Sequence, residues 1–240
     1  MTDTANRAAV RLDVLGLFLA GLINTFLALF VAGVVIGPGT TAFQADVLLR
    51  VDWISTHTLR WQGGWFLWFA VTLSFAWSYF ALGRHLVASQ PWPSLAIGVA
   101  VISAAVDLVG VLVYMSVLPG LALELANAGN DAVLQAVFVA VESLAYALTN
   151  VVAFGLYTLA GLLLLPAAFA ITSYPRWLAW LGVAEWGISA VATSLLVLFP
   201  NVATMPMLVG FALYAPWVWS SALWLSQGKP KRLMILRWKL

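Results

Sequence analysis

Residues 93–118 read PSLAIGVAVISAAVDLVGVLVYMSVL, with one ionisable side chain, Asp107, and no alternation of apolar and polar positions. A hydrocarbon core about 30 Å thick takes about 20 apolar residues to cross as a helix, so this run is long enough to span a bilayer. In lipid its backbone N–H and C=O groups find partners only within the segment, which makes the span helical. The same reading extends outward to apolar runs near 14–36, 64–82, 151–172, 177–199 and 205–225, predicting six spans. Glycine and proline punctuate them: Gly37-Pro38-Gly39 after the first, Gln90-Pro91-Trp92-Pro93 before the third and Pro119-Gly120 to close it. Ser173-Tyr174-Pro175 and Pro200-Asn201 mark tight turns further on.

The whole composition agrees. Of 240 residues, 63% are hydrophobic and 8% charged, against about 25% charged in soluble domains. Residues 1–240 are therefore expected to form a single integral membrane domain. Arg7 and Arg11 precede the first run as in a signal sequence, but the run is longer than the roughly 7 to 15 apolar residues of a cleavable one. It reads as a retained first span. The absence of Cys excludes disulfides, thiolate metal sites, iron-sulfur clusters and thiol nucleophiles.

Residues 131–149 need a place of their own, since 131–172 as one helix would run about 63 Å, twice the hydrocarbon thickness. Asp131, Gln135, Glu142 and Thr149 share one helical stripe of an otherwise apolar segment. This predicts an amphipathic, interfacial helix at the outer surface or folded over the bundle; simple extension of a tilted fourth span is the alternative. The expected fold is thus an all-α polytopic transmembrane helical bundle of six spans with one additional interfacial helix.

Cytoplasmic loops carry the excess of Lys and Arg. With both termini cytoplasmic, Arg7, Arg11, Arg84, Arg176, Lys229, Lys231, Arg232, Arg237 and Lys239 lie inside and only Arg50 and Arg60 outside. A seventh span at 131–149 would reverse that balance. The basic C-terminal tail is suited to anionic lipid headgroups, at about 1 kcal/mol per charge, so the net charge of +2 does not call for nucleic acid. The expected setting is a multi-pass protein of a bacterial inner membrane. Of the thirteen Trp, Trp53, Trp61 and Trp65 are expected in the outer interfacial belt, and Trp92, Trp177, Trp180, Trp224 and Trp238 in the inner one. Trp68, Trp77, Trp186, Trp217 and Trp219 lie deeper, where packing explains them.

Ionisable residues deep in a span are the default pointer to a site, each costing about 2.5–3.5 kcal/mol on insertion scales. Asp107 and Glu185 qualify, roughly 21 and 14 Å along their helices from the cytoplasmic ends. Ser103, Asp107, Gly110 and Tyr114 line one face of the third span, and Glu185, Ser189 and Thr193 one face of the fifth. These faces should turn inward around a polar cavity, with no basic residue at that depth. Glu142, Asn150, His57 and Arg60 are candidates for an outer mouth above it, the polar loop 38–62 serving as a cover. His57 and His85 are too far apart to share a haem iron, and His57 with Asp46 and Asp52 matches no metal-ligand spacing, so no metal is expected. No motif identifies a cofactor.

Three classes of function fit these residues. The first binds or transports a small hydrophobic molecule, ion or proton at Asp107 and Glu185. The second is an intramembrane enzyme acting on a lipid or isoprenoid, with one carboxyl as proton donor. The third is a structural or assembly subunit of a membrane complex. The bilayer, a small hydrophobic ligand and further copies of the chain are the partners to expect.

Overall fold

The computed structural model describes residues 3–87, 90–129, 131–199 and 202–227, and among these there is no strand. The helices in order are α1 (Ala8–Val35), α2 (Val47–Thr56), α3 (Thr58–Leu86), α4 (Trp92–Asn127), α5 (Ala132–Ala170), α6 (Arg176–Leu198) and α7 (Met205–Ser226). All but α2 are long and apolar enough to cross a membrane, which makes the chain a polytopic membrane protein of six candidate spans. Each span packs against its sequence neighbours, and α1 closes against α7, so the six form a ring.

Two buried clusters fill the molecule. One lies between the spans and holds Phe75, Tyr79, Tyr157, Trp186, Tyr214 and Trp217. The other lies towards the opposite end from Asp13 and holds Ile54, Trp61, Trp65, Tyr114, Leu118 and Phe138. The second exists because two helices outrun a bilayer: α4 has 36 residues and α5 has 39, roughly 54 and 58 Å at the α-helical rise. Their extensions, 118–127 and 132–146, pair with each other, and α2 packs on the first of them. Arg50, Val51 and Ile54 form the buried face of α2, whose first turn is capped by Asp46 accepting from Leu48 N at 2.8 Å.

Several expectations change. Residues 131–149 are not a detached helix: the backbone stays helical through Ala147 (φ −61°, ψ −40°) into a π turn at Ala147–Ala153 and on to Ala170. Its polar stripe is used for packing, with Asp131 capping the helix start by accepting from Val133 N at 2.8 Å. The loop expected at 38–62 contains α2, and α3 begins at Thr58 within it. Trp61 and Trp65 are buried in the second cluster, and Trp224 is buried too, with its indole donating to Ser173 O at 2.8 Å. Trp177 and Trp180 are outward-facing at 60% and 63% exposure, as an interfacial belt requires. The basic tail with Lys229, Lys231, Arg232, Arg237 and Lys239, the residue Trp238 and the turn Pro200-Asn201 lie outside the described residues.

Pro119-Gly120 does not close α4, and the local hydrogen bonding explains why. Proline has no N–H, which leaves the Met115 carbonyl without its helical donor. A π turn at Val113–Val117 precedes it, and Leu118 N–H reaches back to Val113 O, which frees the Tyr114 carbonyl as well. Two side chains of α3 take these acceptors: Trp61 Nε1 donates to Tyr114 O at 2.6 Å, and Gln62 Nε2 to Met115 O at 3.2 Å. With both carbonyls satisfied, the helix continues past the proline to Asn127.

Candidate functional site

Helical periodicity sets which residues of each span face the ring interior. On α4, Ser103, Asp107, Gly110 and Tyr114 are all buried, and on α6 so are Glu185 and Ser189, with Thr193 half-buried. The two deep carboxyls are 6% and 2% exposed. Asp107 Oδ2 accepts from Thr72 Oγ1 of α3 at 2.6 Å. Glu185 Oε1 accepts from Ser189 Oγ, one turn along its own helix, at 3.4 Å. Glu185 Oε2 is buried without a hydrogen-bond partner, as is the neighbouring indole nitrogen of Trp186. Neither carboxyl has a basic partner among the described residues.

Hydroxyls and rings connect the surroundings of the two acids. Tyr157 OH donates to Thr72 O at 3.1 Å, and Tyr79 OH to Tyr157 O at 2.6 Å. Tyr79 and Tyr157 stack at 5.9 Å, and Tyr79 lies 5.7 Å from Trp186, the residue next to Glu185. Tyr214 OH donates to Ser78 Oγ at 2.8 Å, and both Tyr79 and Tyr214 lie within electrostatic range of Glu185. Further hydroxyls lie along α6 from Glu185: Thr193 Oγ1 donates to the Ser189 backbone carbonyl at 2.9 Å and lies 3.4 Å from Thr158 Oγ1. Among the described residues no side chain bonds to both carboxyls, so the two acids form one region without forming a chelate.

The other candidates go elsewhere. Ser103 Oγ lies on the same face as Asp107 and donates to Ala153 O at 2.6 Å, tying α4 to α5. Tyr114 belongs to the second cluster, stacked on Trp65 with ring centroids 4.1 Å apart. Asn150 Nδ2 donates to Thr149 Oγ1 at 2.8 Å within α5. His57 stacks on Trp53 at 5.1 Å at the junction of α2 and α3; Arg60 packs against the same indole at 5.6 Å and donates to Val34 O, tying the start of α3 to the end of α1. Glu142 is held in a buried ion pair: Arg50 Nε donates to its Oε1 at 2.9 Å and Arg50 Nη2 to its Oε2 at 2.6 Å.

Two charged groupings escape a reading of the sequence. Arg50 enters the charge balance only as an outer residue, although it and Glu142 are opposite charges on the same side of the membrane, which is the signal that could have found them. Asp13 is fully buried and accepts from Arg84 and from His85, the latter at 2.7 Å. Its signal is similar, an acid at the start of the first span on the same side as Arg84-His85 at the end of the second.

Comparison with protein families, curated proteins and solved structures finds no match. The functional reading therefore rests on the site itself.

Proposed function

We propose that this polytopic membrane protein moves protons across the bilayer through Glu185 and Asp107. The observation that carries the reading is the buried Glu185 Oε2 with no donor. A buried acceptor left unpaired costs about 1–3 kcal/mol, and an ionisable side chain within a span points by default to a pathway or relay. The rings of Tyr79, Trp186 and Tyr214 crowd this region, which favours the smallest ligand, a proton, over a bulky hydrophobic one. The hydroxyls of Ser189, Thr193 and Thr158 supply donor-acceptor positions leading away from Glu185. The proposal keeps both termini in the cytoplasm of a bacterial-type inner membrane, since nine of the eleven basic residues then lie inside.

A native mass spectrum of protein purified in mild detergent, with organic extraction, tests the choice of ligand. The proton reading expects no stoichiometric chromophore or isoprenoid. A small hydrophobic molecule that copurifies one to one and is lost in Asp107→Asn or Glu185→Gln would overturn it in favour of hydrophobic-ligand binding.

A further inference from the structure

Arg50, Arg60, Arg84 and Arg176 each donate to a carboxylate or backbone carbonyl of the protein. Arg11 has no such partner among the described residues. It lines a groove of about 390 Å³ together with Val10, Val14, Leu15, Phe18 and Ser226, a volume within the roughly 300–1,000 Å³ of small-molecule sites. The groove lies on the seam where α1 closes the ring against α7. One lining residue, Phe18, is tied to α7: the Trp219 indole donates to Phe18 O at 3.1 Å and packs over Gly21, where an added Cβ would sit 2.2 Å from the indole nitrogen.

The lining is ordered along α1. Arg11 stands near the start of α1, and Ser226 is the last residue of α7, so the polar end of the groove is at the helix ends. Val14, Leu15 and Phe18 follow Arg11 at helical spacings of three, four and seven and carry the groove into the apolar part of the span. Ser226 Oγ donates to Leu223 O at 2.7 Å, which leaves its lone pairs to accept from a headgroup hydroxyl. A free guanidinium suits a phosphate, which it can hold by two parallel hydrogen bonds, and the apolar floor suits a hydrocarbon chain. We propose that this groove holds one anionic phospholipid, its phosphate on Arg11 and one acyl chain along Val14, Leu15 and Phe18. The site shares no residue with the surroundings of the deep carboxyls.

Lipid titration followed by native mass spectrometry tests it, with phosphatidylglycerol and phosphatidylcholine as the two probes. The wild-type chain is expected to bind one phosphatidylglycerol in preference to phosphatidylcholine. Arg11→Ala should weaken phosphatidylglycerol about fivefold, the loss of one surface charge, and phosphatidylcholine less, because its choline already offsets the charge of the same phosphate, while Arg11→Lys keeps most of the preference. Leu15→Trp, which fills the floor, should weaken both lipids. Equal phosphatidylglycerol binding by wild type and Arg11→Ala would overturn the proposal. Displacement of the lipid by inorganic phosphate would also overturn it, because the site would then recognise the anion without the chain. Both substituted positions are exposed, and unchanged thermal melts confirm that lipid binding alone is read.

Discussion

Arg50 directs its guanidinium at two elements at once. Nε and Nη2 grip Glu142 on α5, while Nη1 donates to the carbonyls of Gln44 and Ala45, each at 2.9 Å, in the segment before α2. Both side chains are within 5% of full burial, where removing one partner strands a charge at a cost of about 3–5 kcal/mol. Glu142→Ala should therefore lower the thermal midpoint markedly in detergent, and Arg50→Met with Glu142→Leu should recover most of the loss; a Glu142→Ala chain melting like wild type would remove the pair from the account. At this scale the sequence is informative about depth and face. Asp107, Glu185, Ser103 and Ser189 are buried as helical periodicity requires, because a carboxyl in a span is costly against lipid and the two serines share its face. What periodicity does not contain is a partner on another helix, so Thr72 with Asp107, Arg50 with Glu142 and Asp13 with Arg84 are out of its reach.

Between helices, deep tryptophans sit on glycines. A Cβ at Gly161 would lie 2.1 Å from the Trp186 ring, and one at Gly182 would lie 2.8 Å from the Trp217 indole nitrogen. Gly161→Ala should cost about 1–3 kcal/mol of stability by overpacking, and Trp186→Phe in the same chain should relieve part of it in a thermal melt. The Pro119 region gives a second prediction. Gln62→Leu leaves the Met115 carbonyl unpaired at a cost of about 1–3 kcal/mol; restoring its helical N–H with Pro119→Ala should shrink that cost in a double-mutant cycle, whereas strictly additive effects would contradict the assignment. The six spans are legible because apolar length is written in the composition of each run. The extension of α4 is not, because a proline read locally says stop, and only side chains from α3 let the helix continue; the extension of α5 is legible only as one of two alternatives.

At the scale of the whole molecule, the ring places the Asp13 cluster at one end and the Arg50–Glu142 pair at the other. The chain has no Cys, so single cysteines report sidedness directly. With both termini cytoplasmic, Asp52→Cys should react with an impermeant maleimide in intact cells and Thr172→Cys only after permeabilisation; the reverse pattern would invert the proposed orientation. The number of spans and the deep acids are legible in the amino-acid sequence, whereas the aromatic filling of the ring is not, since it depends on which faces the helices turn to one another. The most direct measurement is proton flux in sealed proteoliposomes carrying a pH gradient and an internal pH dye. Wild type should dissipate the gradient, Glu185→Gln should abolish that flux and Asp107→Asn should slow it, with melts unchanged. Flux in Glu185→Gln equal to wild type, or a wild-type rate no greater than that of protein-free vesicles, would contradict the proton reading.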